Sequence, residues 1–484
     1  MDSAASVTMR RSELFATGNR SRSRGRGSVL IAVLWSCLGL VSVTLLFGHS
    51  MLMTNRGADN DLAGRQAEHA IEGLARFAGT LMAEVTTPGE FPDPTSYTAE
   101  AVPIGEATAW MLGRDREARS GTVGEPVYGL IDEAGKLNLN SFDLNTPATK
   151  TANTSKLLEL LEALPGMTPE LAGAIADWRD EDEIVGTNGA ESETYLRRQP
   201  SHECKNANFE SIEELALVNG ATREILYGED ANMNGQLDTN EDDGAKTLPL
   251  DDADGTLDSG LLDYVTVFSR EPTTQSDGIT DRVAVGDPAA LQTVLTDTFS
   301  DPARVTQLIG PVSPPNPAAQ SVLDFFFRSG MTDAEFEQIA GKLMSGTAAT
   351  GTAPAVAKVG LINVNTASEA VLATVPGLAP KVSAIVAART NRSQLGIAPT
   401  WFKDAVNDSN ILNQAAPFLT TQTFHVSVDA AAVGRHGRGY RRARFVIDAS
   451  TETARTIYRR DLSPLGWALG SGVRQMFAAG KERR

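Results

Sequence analysis

Cysteine is nearly absent from this chain of 484 residues. Only Cys37 and Cys204 occur, and Cys37 lies inside a long apolar run, so the two thiols are not expected to pair. A fold held together by structural disulfides is therefore not expected. With 41% hydrophobic residues, a chain of this length can bury a sizeable core, divided into two or three units.

Histidine and catalytic motifs are also scarce. Of the 5 histidines, only His202 lies close to a thiol, and no further Cys or His is nearby to complete a zinc site with Cys204. The chain contains neither a nucleophile-elbow motif nor a Walker-type glycine loop. Asp177, Asp180 and Asp182 form an acidic run, which is more typical of a helix end or a metal-adjacent face than of catalytic carboxylates. We therefore expect no enzymatic activity.

Positive charge is in deficit, since 43 Lys and Arg against 61 Asp and Glu give a net charge of -18. Residues 177–258 alone carry 22 acidic and six basic side chains. Such a surface repels nucleic acid and anionic lipid and attracts cations. Within it, Asp251, Asp252, Asp254 and Asp258 lack clear ligand spacing and are expected to be solvated. The carboxyl end is the exception, because residues 430–484 contain 12 Lys or Arg and four acidic residues.

One long apolar run lies near the amino end. No charged residue occurs between Val29 and Phe47, and a helix of that length just spans a bilayer core of roughly 30 Å. Six arginines precede the run: Arg10, Arg11, Arg20, Arg22, Arg24 and Arg26. The amino end is therefore expected to stay in the cytoplasm, with the body in the periplasm and a single pass through the bacterial inner membrane.

The segment before this run resembles a type IV prepilin leader, which a peptidase cuts after glycine. Cleavage between Gly27 and Ser28 would leave the apolar helix at the mature amino terminus; the alternative is an uncleaved signal anchor. Pilin-like subunits usually carry Glu at the fifth mature position, where this chain has Ala32. In that family the Glu pairs with a neighbouring subunit's terminal ammonium, because a lone carboxylate in an apolar fibre is costly. A subunit lacking it suits the tip of a fibre.

Patterns downstream predict an α+β fold. Apolar residues recur at three- and four-residue steps from Ala67 to Val85, so the first helix should continue until Thr87-Pro88-Gly89. Residues 127–140 contain two alternating runs around a glycine turn, which predicts a β-hairpin. Further strand-like runs lie at 264–268, 424–428 and 444–447. A small sheet with helical insertions between its strands accounts for this order.

Two segments share an apolar helix, a Pro-Gly turn and a second helix with small residues. They run from Leu157 to Ile175 and from Ile362 to Arg389, and both are helix-hairpin-helix-like. Two copies of one unit argue against chance. Between them, residues 320–343 predict a helix pair, with a helix beginning after Thr332.

The sharpest chemical signal is the stretch from Asp230 to Glu241. Oxygen-bearing side chains occupy positions 1, 3, 5, 9 and 12, and glycine occupies position 6. This is the loop pattern of EF-hands, in which calcium takes roughly six to eight oxygens. The expected ligands are the side chains of Asp230, Asn232, Asn234, Asp238 and Glu241 and the carbonyl of Gln236. The alternative is an acidic surface loop, and the flanking residues do not predict EF-hand helices.

These stretches together resemble the K-type minor pseudopilin of type II secretion systems. The matching residues are the leader and the helix lacking Glu at Ala32, together with 132–140, 177–183, 189–191, 209–215 and 362–367. The resemblance implies a pilin-like long N-terminal helix, a small antiparallel sheet and a large inserted α-helical domain. It also implies calcium binding, a place at the tip of a periplasmic pseudopilus and a part in starting its assembly for protein export. The implied partners are I- and J-type minor pseudopilins, the major pseudopilin and the prepilin peptidase.

The expected organisation follows the chain in order. The segments are a leader (1–27), a membrane and fibre helix (28–87), a first β region (88–145), an inserted helical domain with the calcium-like loop (146–262), a strand (263–272), a helical region with the second helix-hairpin-helix-like unit (273–420), C-terminal strands (421–450) and a basic tail (451–484).

The main alternative is a membrane-anchored DNA-binding or DNA-uptake protein, because tandem helix-hairpin-helix units often bind duplex phosphates. Acidic surroundings argue against the first unit, since phosphate binding requires several Lys or Arg. The second unit, with Lys381, Arg389 and Arg392, stays a weak candidate. We therefore expect no nucleic acid partner.

Overall fold

The computed structural model describes residues 25–114, 126–347, 356–390 and 396–482. The chain divides into two units between Asp61 and Leu62. The helices are α1 Gly25–Ala83, α2 Lys150–Glu162, α3 Pro169–Arg179, α4 Ser192–Tyr195, α5 Arg223–Tyr227, α6 Leu261–Tyr264, α7 Pro288–Thr298, α8 Pro302–Ile309, α9 Val322–Ser329, α10 Asp333–Ile339, α11 Glu369–Thr374, α12 Val382–Thr390, α13 Thr400–Val406, α14 Ser409–Ala415 and α15 Gly470–Glu482. The strands are β1 Val102–Ile104, β2 Ala107–Leu112, β3 Ile131–Asp132, β4 Leu137–Asn138, β5 Val265–Thr266, β6 Val283–Ala284, β7 Leu343–Met344, β8 Gly346–Thr347, β9 Val356–Ala357, β10 Ile362–Asn363, β11 Leu419–Thr420, β12 His425–Gly434, β13 Arg438–Asp448 and β14 Arg455–Asp461.

Helix α1 combines the two patterns that the sequence predicts. From Val29 to Met53 it carries no Asp, Glu, Lys or Arg, and its side chains are exposed. Among the described residues it is the helix that is long and apolar enough to cross a membrane, by length and composition. Its later part buries residues at helical spacing, among them Ala67, Ile71 and Leu74.

Six strands form the antiparallel sheet against which this later part of α1 packs. Their order is β1-β2-β12-β13-β14, with β3 paired to one end of β12. Along β12, Val428 and Ala430 pack on the core that contains Ile71 and Leu74 of α1, whereas alternate residues point to the opposite face. At Gly434 an added Cβ would lie 2.1 Å from the carbonyl oxygen of Ala63, so the close approach of helix and sheet requires glycine there.

A helical insertion separates the two halves of the sheet. The first three strands end at Asp132, and β12 begins at His425, with α2 to α14 between them. Most of the insertion shares one apolar core, which includes Trp178, Phe325 and Leu372. The structure is therefore a long N-terminal helix, a small antiparallel sheet and a large helical insertion, as the sequence predicts.

The predicted hairpin at residues 127–140 is wrong. Strand β3 pairs with β12, whereas β4 pairs in parallel with β5 in a separate two-stranded sheet. The cause is Asp132, whose Oδ1 accepts from the N–H of Ala134 and begins a 3-10 turn. Its Oδ2 accepts from Asn363, Thr366 and Thr423, so the chain turns away from the main sheet at that residue.

Helix pairs occupy the two segments with Pro-Gly turns. Helices α2 and α3 are joined through Gly166, with φ +71°, and α11 and α12 through Gly377, with φ +80°. The predicted start of α10 is confirmed, because Thr332 and Glu335 form a capping box.

Candidate cation-binding loop

The loop from Asp230 to Glu241 folds around the carboxylate of its first residue. Asp230 Oδ1 accepts a hydrogen bond from the N–H of Asn234 at 2.9 Å, and Oδ2 accepts from the N–H of Gly235 at 2.8 Å. Gly235 has φ +72°, a left-handed conformation that glycine adopts without steric cost. The first carboxylate therefore holds the sharp turn at position 6.

The other predicted side chains converge on the same turn. The side-chain amides of Asn232 and Asn234 donate to Asp238 Oδ2 at 2.7 and 3.0 Å. Glu241 accepts through Oε1 from the N–H of Ala231 and through Oε2 from that of Asp238, both at 3.1 Å. The spacing in the sequence thus corresponds to one closed loop.

This loop is largely buried, which distinguishes it from a solvated acidic loop. Asp230 is 5% exposed and Glu241 is 1% exposed. Burial, with the nearby Asp230 and Asp238, raises the pKa of Glu241 to about 8. Burial also raises the pKa of Asp230, against the opposing charge of Arg114. Buried carboxylates that crowd together disfavour their own ionisation, and a divalent cation offsets that repulsion.

The donor set fits a hard cation. The six predicted residues offer three carboxylates, two side-chain amides and a backbone carbonyl, all of them oxygen donors. Gln236 is buried, and its Oε1 has no hydrogen-bond partner among the described residues. The flanks are the short helix α5 and a 3-10 turn at Thr239–Glu241. The loop therefore lies outside an EF-hand pair of long helices.

Two arginines from outside the loop bind its backbone carbonyls. Arg442 on β13 donates to the carbonyls of Asn232 and Met233, each at 2.6 Å. Arg114, two residues after β2, donates to the Met233 carbonyl at 2.7 Å and to Asp263 Oδ1 at 2.9 Å. Sequence reasoning missed both arginines, because they lie 209 and 119 residues from Met233 and no local pattern marks them.

Asp429 on β12 orders these arginines. Its Oδ1 and Oδ2 accept from Arg442 Nε and Nη2 at 2.8 and 2.7 Å, and both side chains are 0% exposed. Arg114 Nη2 lies 3.6 Å from Asp429 Oδ2, and Arg444 Nη2 lies 3.7 Å from the same oxygen. Burial disfavours ionisation of Asp429, but the three guanidinium groups outweigh it and lower its pKa. The buried charges are thus paired, as their burial requires.

A second acidic cluster lies at the end of α3. Oxygens of Asp180, Asp182 and Glu191 lie within 4.8 Å of one another, and Lys150 Nζ is 3.0 Å from Asp180 Oδ2. Glu191 is 2% exposed, and neither carboxylate oxygen meets hydrogen-bond geometry with a described residue, although the Cys204 thiol lies beside it. Burial, with neighbouring carboxylates, raises the pKa of Glu191 to about 7. The run of Asp177, Asp180 and Asp182 predicted an acidic face. Glu191 joins that face only through the packing of the chain, so the sequence did not predict it.

The weaker acidic group is exposed. Asp252, Asp254 and Asp258 all face solvent, and Asp251 is half-buried. The Asp251 carboxylate accepts from the N–H groups of Asp243, Gly244 and Ala253, so it closes a turn.

The predicted processing residues lie in the first turns of α1. Gly27 and Ser28 are both helical, and Ala32 is an exposed residue of the same helix. Residues 1–24 of the predicted leader lie outside the described residues.

Part of this chain is similar to known proteins. Residues 135–227, which include α2 to α5 and the cluster at Glu191, match the family "Type II secretion system (T2SS), protein K". Over these residues the chain is similar to protein K of type II secretion systems. The loop from Asp230 to Glu241 begins just after the matched residues, and α1 ends well before them.

One similar protein is the type II secretion system protein K of Pseudomonas aeruginosa. It is 29% identical over 203 residues, which are 40% of this chain and 58% of the relative. The alignment thus spans less than two thirds of the relative's length.

The crystal structure of the GspK-GspI-GspJ complex from the type 2 secretion system of enterotoxigenic Escherichia coli aligns with 84% of this chain and 99% of the matched chain. Its identity is 12% and its TM-score 0.36, values too low to transfer contacts or ligands.

Proposed function

We propose that this chain is a non-enzymatic minor pseudopilin of K type that caps the tip of a type II secretion pseudopilus and helps to start its assembly. Similarity of part of the chain to protein K of type II secretion systems supports this function. The observation that carries the proposal is α1, whose first part is uncharged and exposed and has Ala32 where pilin-like subunits have Glu.

Ala32 accounts for the tip position in physical terms. A buried carboxylate in an apolar fibre needs a partner charge from the neighbouring subunit. With Ala32 this requirement disappears, so the subunit needs no other subunit ahead of it. In this proposal the helix from Ser28 packs with I- and J-type minor pseudopilins and with the major pseudopilin. The amino end lies in the cytoplasm, and the sheet and its helical insertion lie in the periplasm.

The mature amino terminus tests the pilin-like part of this proposal. The full chain is co-expressed with a prepilin peptidase, and its terminal peptide is identified by mass spectrometry. We expect a terminus at Ser28, and the variant Gly27→Leu, which removes the glycine before the cut, should keep its leader. An intact Met1 in the unchanged chain, or a cut beyond Phe47, would contradict prepilin processing.

The loop from Asp230 to Glu241 is proposed to bind calcium in the folded body. When bound, the ion would supply the positive charge that the crowded carboxylates lack. The burial of Asp230 and Glu241, with the raised pKa of Glu241, supports this assignment over a solvated loop. The chain's own part is to hold six oxygen donors in one turn.

Thermal unfolding of the full chain in detergent, with calcium and with EDTA, tests the calcium assignment. A ligand that binds only the folded state stabilises it by about 2.7 kcal/mol at 100 times its Kd. The double variant Asp230→Ala/Glu241→Ala should lose the calcium-dependent rise in Tm. The matched control, Asp252→Ala/Asp254→Ala, removes two exposed carboxylates and should keep it. An equal rise in both variants would move the site elsewhere.

The structure also bears on the DNA-binding alternative. Arg389, one of the basic residues of the second helix-hairpin-helix-like unit, is buried and donates to the carbonyls of Val364 and Ala367. Its guanidinium is thus committed to the protein's own backbone. Tight, salt-sensitive binding of duplex DNA by the full chain would nevertheless overturn the proposal of a purely structural subunit.

A further inference from the structure

The backbone of the calcium-like loop is held from two sides. Inside the loop, the Asp230 carboxylate accepts from the N–H groups of Asn234 and Gly235. Outside it, Arg442 and Arg114 donate to the carbonyls of the preceding residues. The amides of Asn234 and Gly235 therefore face the Asp230 carboxylate, whereas the carbonyls of Asn232 and Met233 face the arginines.

Met233 marks the point where the backbone changes direction. It has φ +57°, a conformation that residues other than glycine rarely adopt, and its carbonyl accepts from both arginines. Such a conformation persists only where surrounding contacts determine it. Here the two guanidinium groups hold the carbonyl of Met233, and its N–H donates to the carbonyl of Asp230 at 3.2 Å.

The arginines themselves have little freedom to move. Arg442 forms a two-point ion pair with Asp429, with both side chains completely buried. Arg114 is fixed by Asp263 at 2.9 Å. Both arginines follow or belong to strands of the main sheet, whereas the loop belongs to the insertion. The donors are thus preorganised on one element for acceptors on another.

We propose that Arg442 and Arg114 are positioning residues for the 230–241 loop, and that they couple cation binding in the insertion to the stability of the sheet. This inference rests on the proposed calcium site. Arg442 fixes the loop in the conformation in which its oxygen donors converge, so the cation does not bear the cost of ordering the loop. Binding free energies between two coupled sites are reciprocal. The cation must therefore strengthen the contact between Arg442 and the loop by the same free energy by which that contact strengthens cation binding, and this stabilises the strands that carry Arg442 and Asp429.

The variant Arg442→Lys tests the coupling, with Arg444→Lys as its matched control. Lysine keeps the positive charge near Asp429 but cannot donate to Asp429 and to two carbonyls at once. Arg444 lies on the same strand, is also buried and faces Asp429, yet it forms no hydrogen bond to the loop among the described residues. Calcium affinity of the full chain in detergent is measured by titration calorimetry. We expect it to fall about tenfold in Arg442→Lys and to stay within about twofold in Arg444→Lys.

Hydrogen exchange supplies the readout that simple destabilisation would not change. In the unaltered chain, calcium should slow exchange of the β12 and β13 amides, and in Arg442→Lys it should slow only the loop. If Arg442→Lys does not fold, Arg114→Lys replaces it with the same expectation. Equal losses of affinity in Arg442→Lys and Arg444→Lys, or calcium-dependent protection of β13 in both, would overturn the coupling.

The failure of the calcium site and the failure of the coupling are distinguishable. If the unaltered chain shows no calcium response, the proposed cation site fails. Exchange in EDTA then still tests the arginines, because loop amides at 231–241 should exchange faster in Arg442→Lys than in Arg444→Lys. Equal exchange there would show that the arginines do not position the loop.

Discussion

In the proposed cation site, Glu241 is the residue at which proton binding and cation binding would compete. Its pKa is raised to about 8 by burial and by Asp230 and Asp238. A cation takes the ionised form, so below that pH its binding must release a proton. With no cation present, the same shift means that the folded state holds the proton more tightly than the unfolded state does. The free energy of unfolding then falls as pH rises from the ordinary range of a Glu through about 8.

We expect the calcium affinity of the full chain to rise with pH up to about 8 and then to level off. One competing proton gives a change of at most about tenfold for each pH unit below the pKa. Titration calorimetry at pH 6, 7 and 8.5, in buffers of different ionisation enthalpy, measures both affinity and proton release. Glu241→Gln should bind more weakly and lose this pH dependence. A constant affinity from pH 6 to 8.5 in the unaltered chain would contradict the competition.

Glu191 is a second buried carboxylate with a raised pKa, and it lies outside the 230–241 loop. It is buried, its pKa is raised to about 7, and above that pH its charge is held away from water. We expect Glu191→Gln to raise Tm in EDTA at pH 8, because the free energy of unfolding increases by an amount on the order of 1–2 kcal/mol. At pH 5 the Glu of the folded state is already neutral, and the difference should be much smaller. The exposed Glu193→Gln is the matched control, and an equal Tm for Glu191→Gln and the unaltered chain at pH 8 would contradict the expected cost.

At the scale of elements, α1 stabilises the sheet through a narrow stripe. Leu74 is 0% exposed against β12, whereas Phe77, one turn later, is 36% exposed. Leu74→Ala should lower the free energy of unfolding by about 2–5 kcal/mol, because it leaves a cavity between helix and sheet. Phe77→Ala should change it by less than about 1 kcal/mol. Thermal unfolding followed by near-UV circular dichroism compares the two, and equal losses would contradict the assigned face.

The elements differ in how much of them local sequence determines. The stripe from Ala67 to Val85 predicts the later part of α1 because its spacing is regular and most of its apolar side chains are buried or half-buried. Strand β14 was not predicted, since Arg455 to Asp461 is polar and lies at the exposed edge of the sheet. Strand β12 extends beyond its predicted end, because Ala430 to Val433 shows no alternation of apolar and polar residues. The hairpin prediction was wrong because Asp132 bonds to residues more than 200 positions away.

The candidate site also has one part that local sequence predicts and one part that it does not. The spacing of Asp230, Asn234 and Glu241 is local, so the sequence predicts the loop, and the structure brings these residues together. The arginines that bind its carbonyls become neighbours only through the fold. Their role depends on where β2 and β13 place them, so it cannot be inferred from the composition of the chain.

For the whole molecule, the proposed position at the tip predicts what happens when Ala32 is replaced by the glutamate that pilin-like subunits carry. Ala32→Glu would place a carboxylate in the apolar part of α1, where a tip subunit finds no ammonium partner ahead of it. We expect this variant to reduce secretion at least tenfold while its level in the inner membrane is unchanged, as followed by immunoblots of medium and membranes. Ala32→Val, which adds volume but no charge, should secrete at close to the unaltered level. Full secretion by Ala32→Glu would contradict the proposed position.

The order of strands in the sheet also constrains how the chain acquires its structure. When synthesis reaches Asp132, strands β1 to β3 are complete, but their partner β12 begins at His425, nearly 300 residues later. Contacts between distant parts of a chain form slowly, and during synthesis the earlier parts wait for the later ones. The helical insertion can fold in that interval, whereas the amphipathic part of α1 has no sheet to pack against. A chain interrupted before β12 should therefore expose this stripe and be a preferred substrate for proteases.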